Sequence, residues 1–298
     1  MKSVMRWGGA RALPAADPKH VDWITDLDWR ALGWRRPVLP EPLIYLGTPG
    51  PRRKAVVHLI DAASHACELI VKVPMTEGAR AAIEHEAETL LELQGEGFDA
   101  APRLVAFDAN KCVSSQTVVR GVRCGMTLTR EVATLLRSLV LPHRIITLRE
   151  VACPLQTEAG CFELSAADAR TVQRALAELD DPSELPAVRM HGDFAPWNIR
   201  LQRGAAALVD WEDSEPCGLP LHDAYHFVHM ARYLFGRSPR PAFRDMGFPR
   251  PAALNSAVRR KLELAYLLQR LFRELADSDG AHAACLLATL KLTMESRP

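Results

Sequence analysis

The stretch Met190-His191-Gly192-Asp193-Phe194-Ala195-Pro196-Trp197-Asn198-Ile199 sets an aspartate and an asparagine in one loop bounded by apolar positions. After a turn at Gln202-Arg203-Gly204, the apolar run Ala207-Leu208-Val209 leads into Asp210-Trp211-Glu212-Asp213. A loop and hairpin in this order can present one carboxylate to a substrate hydroxyl and two oxygen ligands to a hard cation. Magnesium takes oxygen ligands and keeps nucleotide phosphates in its shell. Phosphoryl transfer asks for those parts: a positioned acceptor, a metal bridge and a cation on the phosphates.

The H-G-D-x-x-x-x-N loop followed by V-D-W resembles the catalytic segment of the aminoglycoside phosphotransferase and choline kinase family, which shares the protein-kinase-like fold. The resemblance is close over His191 to Asp223 and extends to the rest of the chain in the order of its parts. It implies that Asp193 orients the acceptor hydroxyl, with removal of its proton as an open second role. It implies Asn198 and Asp210 as metal ligands and His191 as the residue that holds the loop's shape. Gly218-Leu219-Pro220-Leu221-His222-Asp223 resembles the family's G-x-P-x-x-D, which makes Asp223 a brace for the loop. Upstream, Lys72 in Ile70-Val71-Lys72-Val73 matches the lysine that holds nucleotide phosphates; its other reading is a strand lysine on a solvated face. Glu86 matches the lysine's ion-pair partner, with Glu84 and Glu88 as alternatives. Glu84 and Glu88 share a helix face by i,i+4 spacing while Glu86 points elsewhere, and spacing leaves the helix phase open. The implied cofactors are ATP (or GTP) and Mg2+.

These residues need elements to carry them. Pro42–Leu46, Lys54–Ile60 and Glu68–Val73 read as an antiparallel meander, with Gly47-Thr48-Pro49-Gly50-Pro51-Arg52-Arg53 as the first turn. Glu77–Leu93 reads as an amphipathic helix that Gly95 and Gly97 stop. Leu104–Phe107 and Val113–Val119 are two further strands. The remainder reads as mostly helical: Thr127–Leu139, Ser165–Leu179 behind a capping-box-like Ser165-Ala166-Ala167-Asp168, Pro220–Phe235, Pro251–Ala276 and Gly280–Met294. The expected fold is α+β and protein-kinase-like, with a small antiparallel-sheet N-lobe carrying one helix and a larger, mainly helical C-lobe. The expected division is a Trp-rich arm over 1–40 (Trp7, Trp23, Trp29 and Trp34) packing on the body, a nucleotide-binding N-lobe over 41–121 and a catalytic C-lobe over 122–298. Gly121 and Gly125 are candidate hinge positions.

Two absences narrow the acceptor. Protein kinases carry a lysine two residues after the catalytic aspartate, where this chain has Ala195, and the short stretch from Asp210 to Pro220 leaves little room for a peptide-docking segment. A small hydroxylated molecule is expected: an amino sugar, a sugar or an amino alcohol. Glu212, Asp213 and Glu215 form an acidic cluster that would attract a cation, or they are surface carboxylates; a neutral sugar fits equally. The Gly47–Arg53 turn is not a G-x-G-x-x-G, and no Walker A motif is present. That weak loop keeps open a kinase-fold regulator that binds nucleotide or metabolite without catalysis. His222, His226 and His229 share a helix face at a spacing that can bind zinc, or they bond to backbone and water. Cys153 and Cys161 read as structural.

Composition sets the bounds. A net charge of +1 over 298 residues offers no general attraction to nucleic acid or an acidic membrane. With 48% hydrophobic and 24% charged residues the chain is globular rather than disordered. No apolar run reaches the about 18 residues that a membrane helix requires, so no membrane insertion is expected. The N-terminus has no apolar core of a secretory signal, and the odd set of seven cysteines contains no C-x-x-C pair. Reduced thiols in a cytoplasmic location are expected. Oligomeric state is not read from the sequence.

Overall fold

The computed structural model describes residues 22–236, 254–277 and 280–295. By backbone proximity the chain forms two compact units. One ends at Ile83 and takes in Leu104–Val118; the other holds Glu84–Arg103 and runs on from Val119.

The first unit begins with a short helix, α1 (Asp22–Thr25), and is built on β1 (Glu41–Leu46), β2 (Lys54–Ile60) and β3 (Cys67–Pro74), followed by α2 (Glu77–Gly95), β4 (Leu104–Asp108) and β5 (Val113–Thr117). The boundary between the units falls inside α2. The strands form one antiparallel sheet in the order β1-β2-β3-β5-β4. In β2 the alternation of Ala55, Val57 and Leu59 with half-buried neighbours sends one face into the core, as period-two geometry requires. Ile24, Leu27, Trp29, Leu32 and Trp34 cover that face with Val57, Val71 and Val113. Trp34 Nε1 donates to the Val38 carbonyl at 2.8 Å, and Ser115 Oγ donates to the Leu32 carbonyl at 2.6 Å, so the packed segment is also hydrogen-bonded. Trp23 stays exposed, and Trp7 lies outside the described residues.

The second unit holds β6 (Val122–Arg123), α3 (Arg130–Ser138), β7 (Val140–Thr147), α4 (Leu148–Ala159), α5 (Ala166–Glu178), β8 (Glu184–Met190), β9 (Ile199–Gln202), β10 (Ala205–Leu208), β11 (Glu215–Gly218), α6 (His222–Phe235), α7 (Ser256–Ala276) and α8 (Gly280–Glu295). Side chains cap α3 (Thr129), α5 (Ser165) and α7 (Asn255) at the first turn. The expected helix start at Pro251 lies outside the described residues.

Two features were not among the elements expected from the sequence. Small three-stranded sheets, β10-β9-β6 and β11-β8-β7, frame the loop that carries Asp193. Four of their strands, β6, β9, β10 and β11, have two to four residues and are too short to show a period. Helix α4, absent from the expected elements, contains Pro154 in its interior and opens on a capping box between Thr147 and Glu150. Among the described residues no helix is long and apolar enough to cross a membrane.

Candidate active site

Strand β8 delivers the chain into the loop with its last four residues buried. Gly192 follows at φ +79°, and a Cβ there would lie 2.0 Å from the Asp213 carbonyl oxygen, so only glycine fits the turn. The loop is then pinned from below. The backbone N–H groups of His191 and Gly192 donate to the two carboxylate oxygens of Asp223, at 2.8 and 3.0 Å. Asp223 stands in the first turn of α6 and is buried. Burial pushes its pKa up, but His222 and the His191 amide outweigh that and hold it below the usual carboxylate range. His191 donates from Nε2 to the Val209 carbonyl at 3.1 Å, and its ring meets Trp211 edge-on at 4.8 Å. The loop histidine thereby joins the Asp193 loop to the strand end that carries Asp210.

Asp193 is anchored through both oxygens. His226 Nε2 lies 2.9 Å from Oδ1, and Asn198 Nδ2 donates to Oδ2 at 2.8 Å and to the Asp193 carbonyl at 3.0 Å. Burial raises the Asp193 carboxyl, but its contact with His226 and the neighbouring His191 outweigh that and bring it down to about 2. It is therefore ionised near neutral pH. Burial lowers the His226 pKa despite its carboxylate partner, which favours a neutral imidazole donating Nε2–H to Asp193. Nδ1 is then the acceptor for the Tyr266 hydroxyl at 3.4 Å.

Asn198 ends a 3-10 turn, Pro196–Asn198, and its carbonyl accepts from the Val209 N–H at 2.9 Å, which keeps Asn198, just before β9, beside the stretch that follows β10 and carries Asp210. Asp210 takes a left-handed backbone at φ +71°. Its charge acts on Asp193 and pushes that carboxyl upward, so two carboxylates share the locality. With its amide nitrogen turned to Asp193, Asn198 has Oδ1 as its acceptor end. Two like charges and an amide oxygen are hard donors whose repulsion a divalent cation relieves, and they suit magnesium.

Glu86 is only 1% exposed, while Glu84 and Glu88 lie on the outer face of α2. This fixes the helix phase that spacing left open. Glu86 Oε1 accepts from the Trp211 N–H at 3.0 Å and so braces the backbone immediately after Asp210, a role that the sequence does not announce. Lys72 is 4% exposed on β3, paired in register with Val56 and Ser114. It is not on a solvated face. The Gly47–Arg53 turn closes where the Gly47 N–H donates to the Lys54 carbonyl at 2.8 Å, and Arg53 Nε turns back onto the Gly47 carbonyl at 3.3 Å.

The α6 histidines do not converge on a metal. His226 faces Asp193, His229 lies 3.0 Å from Glu263, and His222 lies 3.7 Å from Asp223. Tyr266 packs among all three rings, with His229 stacked on it at 5.2 Å. Among the described residues no group of three or more His, Cys, Asp and Glu could hold a metal, so the zinc reading is set aside. Their shared face is instead a buried polar seam between α6 and α7. His226 is the site residue that sequence reasoning missed as a partner of Asp193. Its only signal was a position one turn beyond the Asp223 region. In the acidic cluster, Asp213 forms an ion pair with Arg273, and Glu215 pairs across β11 with Met190.

A family model described as the phosphotransferase enzyme family, APH, matches residues 49–265. No curated protein sequence matches. Among solved structures, a thermostable mutant of aminoglycoside phosphotransferase APH(4)-Ia in ternary complex with AMP-PNP and hygromycin B is similar, with a TM-score of 0.59 and 14% identity over 85% of this chain and 94% of that one. The choline/ethanolamine kinase family protein from Mesorhizobium loti aligns with a TM-score of 0.53 and 18% identity over 93% and 95%. The macrolide 2'-phosphotransferase MphH from Brachybacterium faecium aligns with a TM-score of 0.56 and 17% identity over 94% and 100%. At these identities the likenesses establish the fold, which is protein-kinase-like.

Proposed function

This chain belongs to the phosphotransferase enzyme family, and we propose that it transfers the γ-phosphate of ATP, with magnesium, to a hydroxyl of a small molecule. One observation carries the reading: an ionised Asp193, fixed at both oxygens by His226 and Asn198, within reach of the Asp210 charge. The acceptor hydroxyl would donate to the Asp193 carboxylate while its oxygen attacks the γ-phosphorus in line and the bond to the ADP oxygen breaks. A carboxyl held near 2 is a weak base, so its contribution is to aim the hydroxyl, with the proton leaving late. Asn198 and Asp210 would hold the metal, which when bound offsets charge on the phosphates. Lys72 is proposed as the phosphate cation. Glu86 keeps the Asp210 turn in place. The similar structure that holds AMP-PNP and hygromycin B supports nucleotide use and a small acceptor. The seven cysteines are free thiols, which supports a reducing, cytoplasmic setting.

A second reading, a nucleotide- or metabolite-binding kinase fold without catalysis, is favoured by the Gly47–Arg53 turn, whose Arg53 bonds to its own loop. Magnesium-dependent ATP turnover with a panel of hydroxylated acceptors separates the two. Asp193→Ala should lower kcat by about a hundred- to ten-thousandfold while nucleotide still binds by calorimetry. An Asp193→Ala protein with full activity removes the assigned role.

A further inference from the structure

We propose that a polar stripe along α2, led by His85 and Thr89, positions Asp210 for the metal by gripping the turn that follows it at Ser214. The proposal rests on the phosphotransferase reading, in which Asp210 is a metal ligand, and adds the positioning residues behind it. His85, Thr89, Glu92 and Glu96 stand at i, i+4, i+7 and i+11, a spacing that keeps them on one side of a helix. All four lie in the part of the chain that belongs to the second unit. Each of the four has a partner in that unit. His85 Nε2 donates to the Ser214 carbonyl at 2.8 Å, and the Thr89 and Ser214 hydroxyls are hydrogen-bonded at 2.8 Å. Glu92 and Glu96 both pair with the guanidinium of Arg189, at 3.0 and 2.6 Å, on the strand that runs into the Asp193 loop. One side of α2 therefore holds the strand before Asp193 and the turn after Asp210 together.

The turn needs such a hold. Asp210 has a left-handed backbone, φ +71°, which a residue with a Cβ keeps only where its surroundings enforce it. Trp211 follows at once, and its N–H donates to Glu86, the neighbour of His85 on α2. The Ser214 N–H closes the turn on the Trp211 carbonyl at 3.2 Å. Glu86 at the first amide, with His85 and Thr89 at the last residue, fixes the turn at both ends, so the peptide that follows Asp210 takes its orientation from α2. Thr89 and Ser214 are buried, where an apolar pair would fill the same space. Packing asks only for volume; a hydrogen bond between buried hydroxyls adds direction, and leaving it unmade is costly. Magnesium accepts little departure from octahedral geometry, so a carboxylate turned off its bearing binds it less well.

The test uses the full chain with AMP-PNP and with Mn2+ as the probe, an octahedral, oxygen-seeking substitute for magnesium whose free ion is read by electron paramagnetic resonance. Thr89→Val keeps the shape and removes the hydroxyl; it should weaken Mn2+ binding about fivefold. In turnover it should lower kcat/KM at limiting magnesium, and saturating magnesium should restore the rate. Thr89→Ser, which keeps the hydroxyl, should stay within about twofold of the parent. Ser214→Ala should lose as much as Thr89→Val, and the double variant little more than either, because the two side chains share one bond. AMP-PNP binding in EDTA should be the same in every variant. In the metal-free protein, hydrogen exchange of the Trp211 and Ser214 amides should quicken in Thr89→Val and not in Thr89→Ser. If Thr89→Val fails to fold, His85→Leu against His85→Gln makes the same comparison at the Ser214 carbonyl. Parent-like Mn2+ binding in Thr89→Val and Ser214→Ala, or equal losses in Thr89→Val and Thr89→Ser, would overturn the proposal. A parent chain that binds no Mn2+ with AMP-PNP would instead count against the phosphotransferase reading, and the grip of α2 on the turn would then be decided by the exchange of the two amides.

Discussion

Asp193 is held by two donors of different kinds. Asn198 comes from its own loop, whereas His226 comes from α6 and meets Oδ1 at 2.9 Å from a fully buried position. A positioned carboxylate loses rate steeply when its aim shifts, because near-attack geometry tolerates little displacement. His226→Phe, which keeps ring volume and removes the Nε2–H, should therefore lower kcat about a hundredfold with little change in the KM for ATP. His226→Gln, which retains an N–H donor, should recover part of the loss. Steady-state kinetics of the two variants check this; equal loss in both would reduce His226 to a packing residue. The proposed site residues Asp193, Asn198 and Asp210 were legible because they lie on one short stretch. His226 was not, since its contact with Asp193 joins elements far apart in the chain.

The elements act on the site through their ends. The start of α6 presents Asp223 to two successive loop amides, and the start of β11 follows the carbonyl that forbids any side chain at 192. Asp223→Ala would leave two buried N–H groups without acceptors, and at roughly 1–3 kcal/mol for each the variant should lose about 2–6 kcal/mol in urea unfolding. Gly192→Ala should fail to place Asp193 at all, giving folded but inactive or poorly folded protein by circular dichroism and assay. A second clamp joins α7 to the turn before β8. Lys261 Nζ lies 2.6 Å from Asp181, which also accepts from the Ser183 N–H at 2.9 Å. Lys261, then Ser183, lower the Asp181 pKa in the folded state. A depressed carboxyl contributes stability that is complete above the unfolded pKa of about 3.9 and disappears as pH falls towards the folded value. Asp181→Asn should thus lower the melting temperature at pH 7 by an amount worth about 1 kcal/mol, and the difference from the parent should shrink below about pH 4.

At the scale of the molecule, a chain that binds nucleotide only when folded is stabilised by it. Magnesium with AMP-PNP at a hundred times its Kd should add about 2.7 kcal/mol, seen as a rise in Tm, and both EDTA and Lys72→Ala should diminish that rise. A melting curve indifferent to the nucleotide would contradict the assigned use of ATP. The segments that form the parent sheet and the long helices declare themselves in sequence because burial imposes a period on them, as in Ala55, Val57 and Leu59. The short strands β6, β9, β10 and β11 around the loop have no such signature, since two to four residues are too few to alternate visibly, and Pro154 interrupts the helical pattern of α4. By itself the sequence determined the fold class and the acid, amide and lysine groups that could serve phosphate chemistry, since local spacing and hydrophobic period are enough for both. Only the tertiary structure decided that Glu86 rather than its neighbours turns inward, that His226 holds Asp193 instead of a metal, and that His85 and Thr89 reach Ser214. Those outcomes depend on helix phase and on contacts between distant segments, which packing sets and no local pattern encodes.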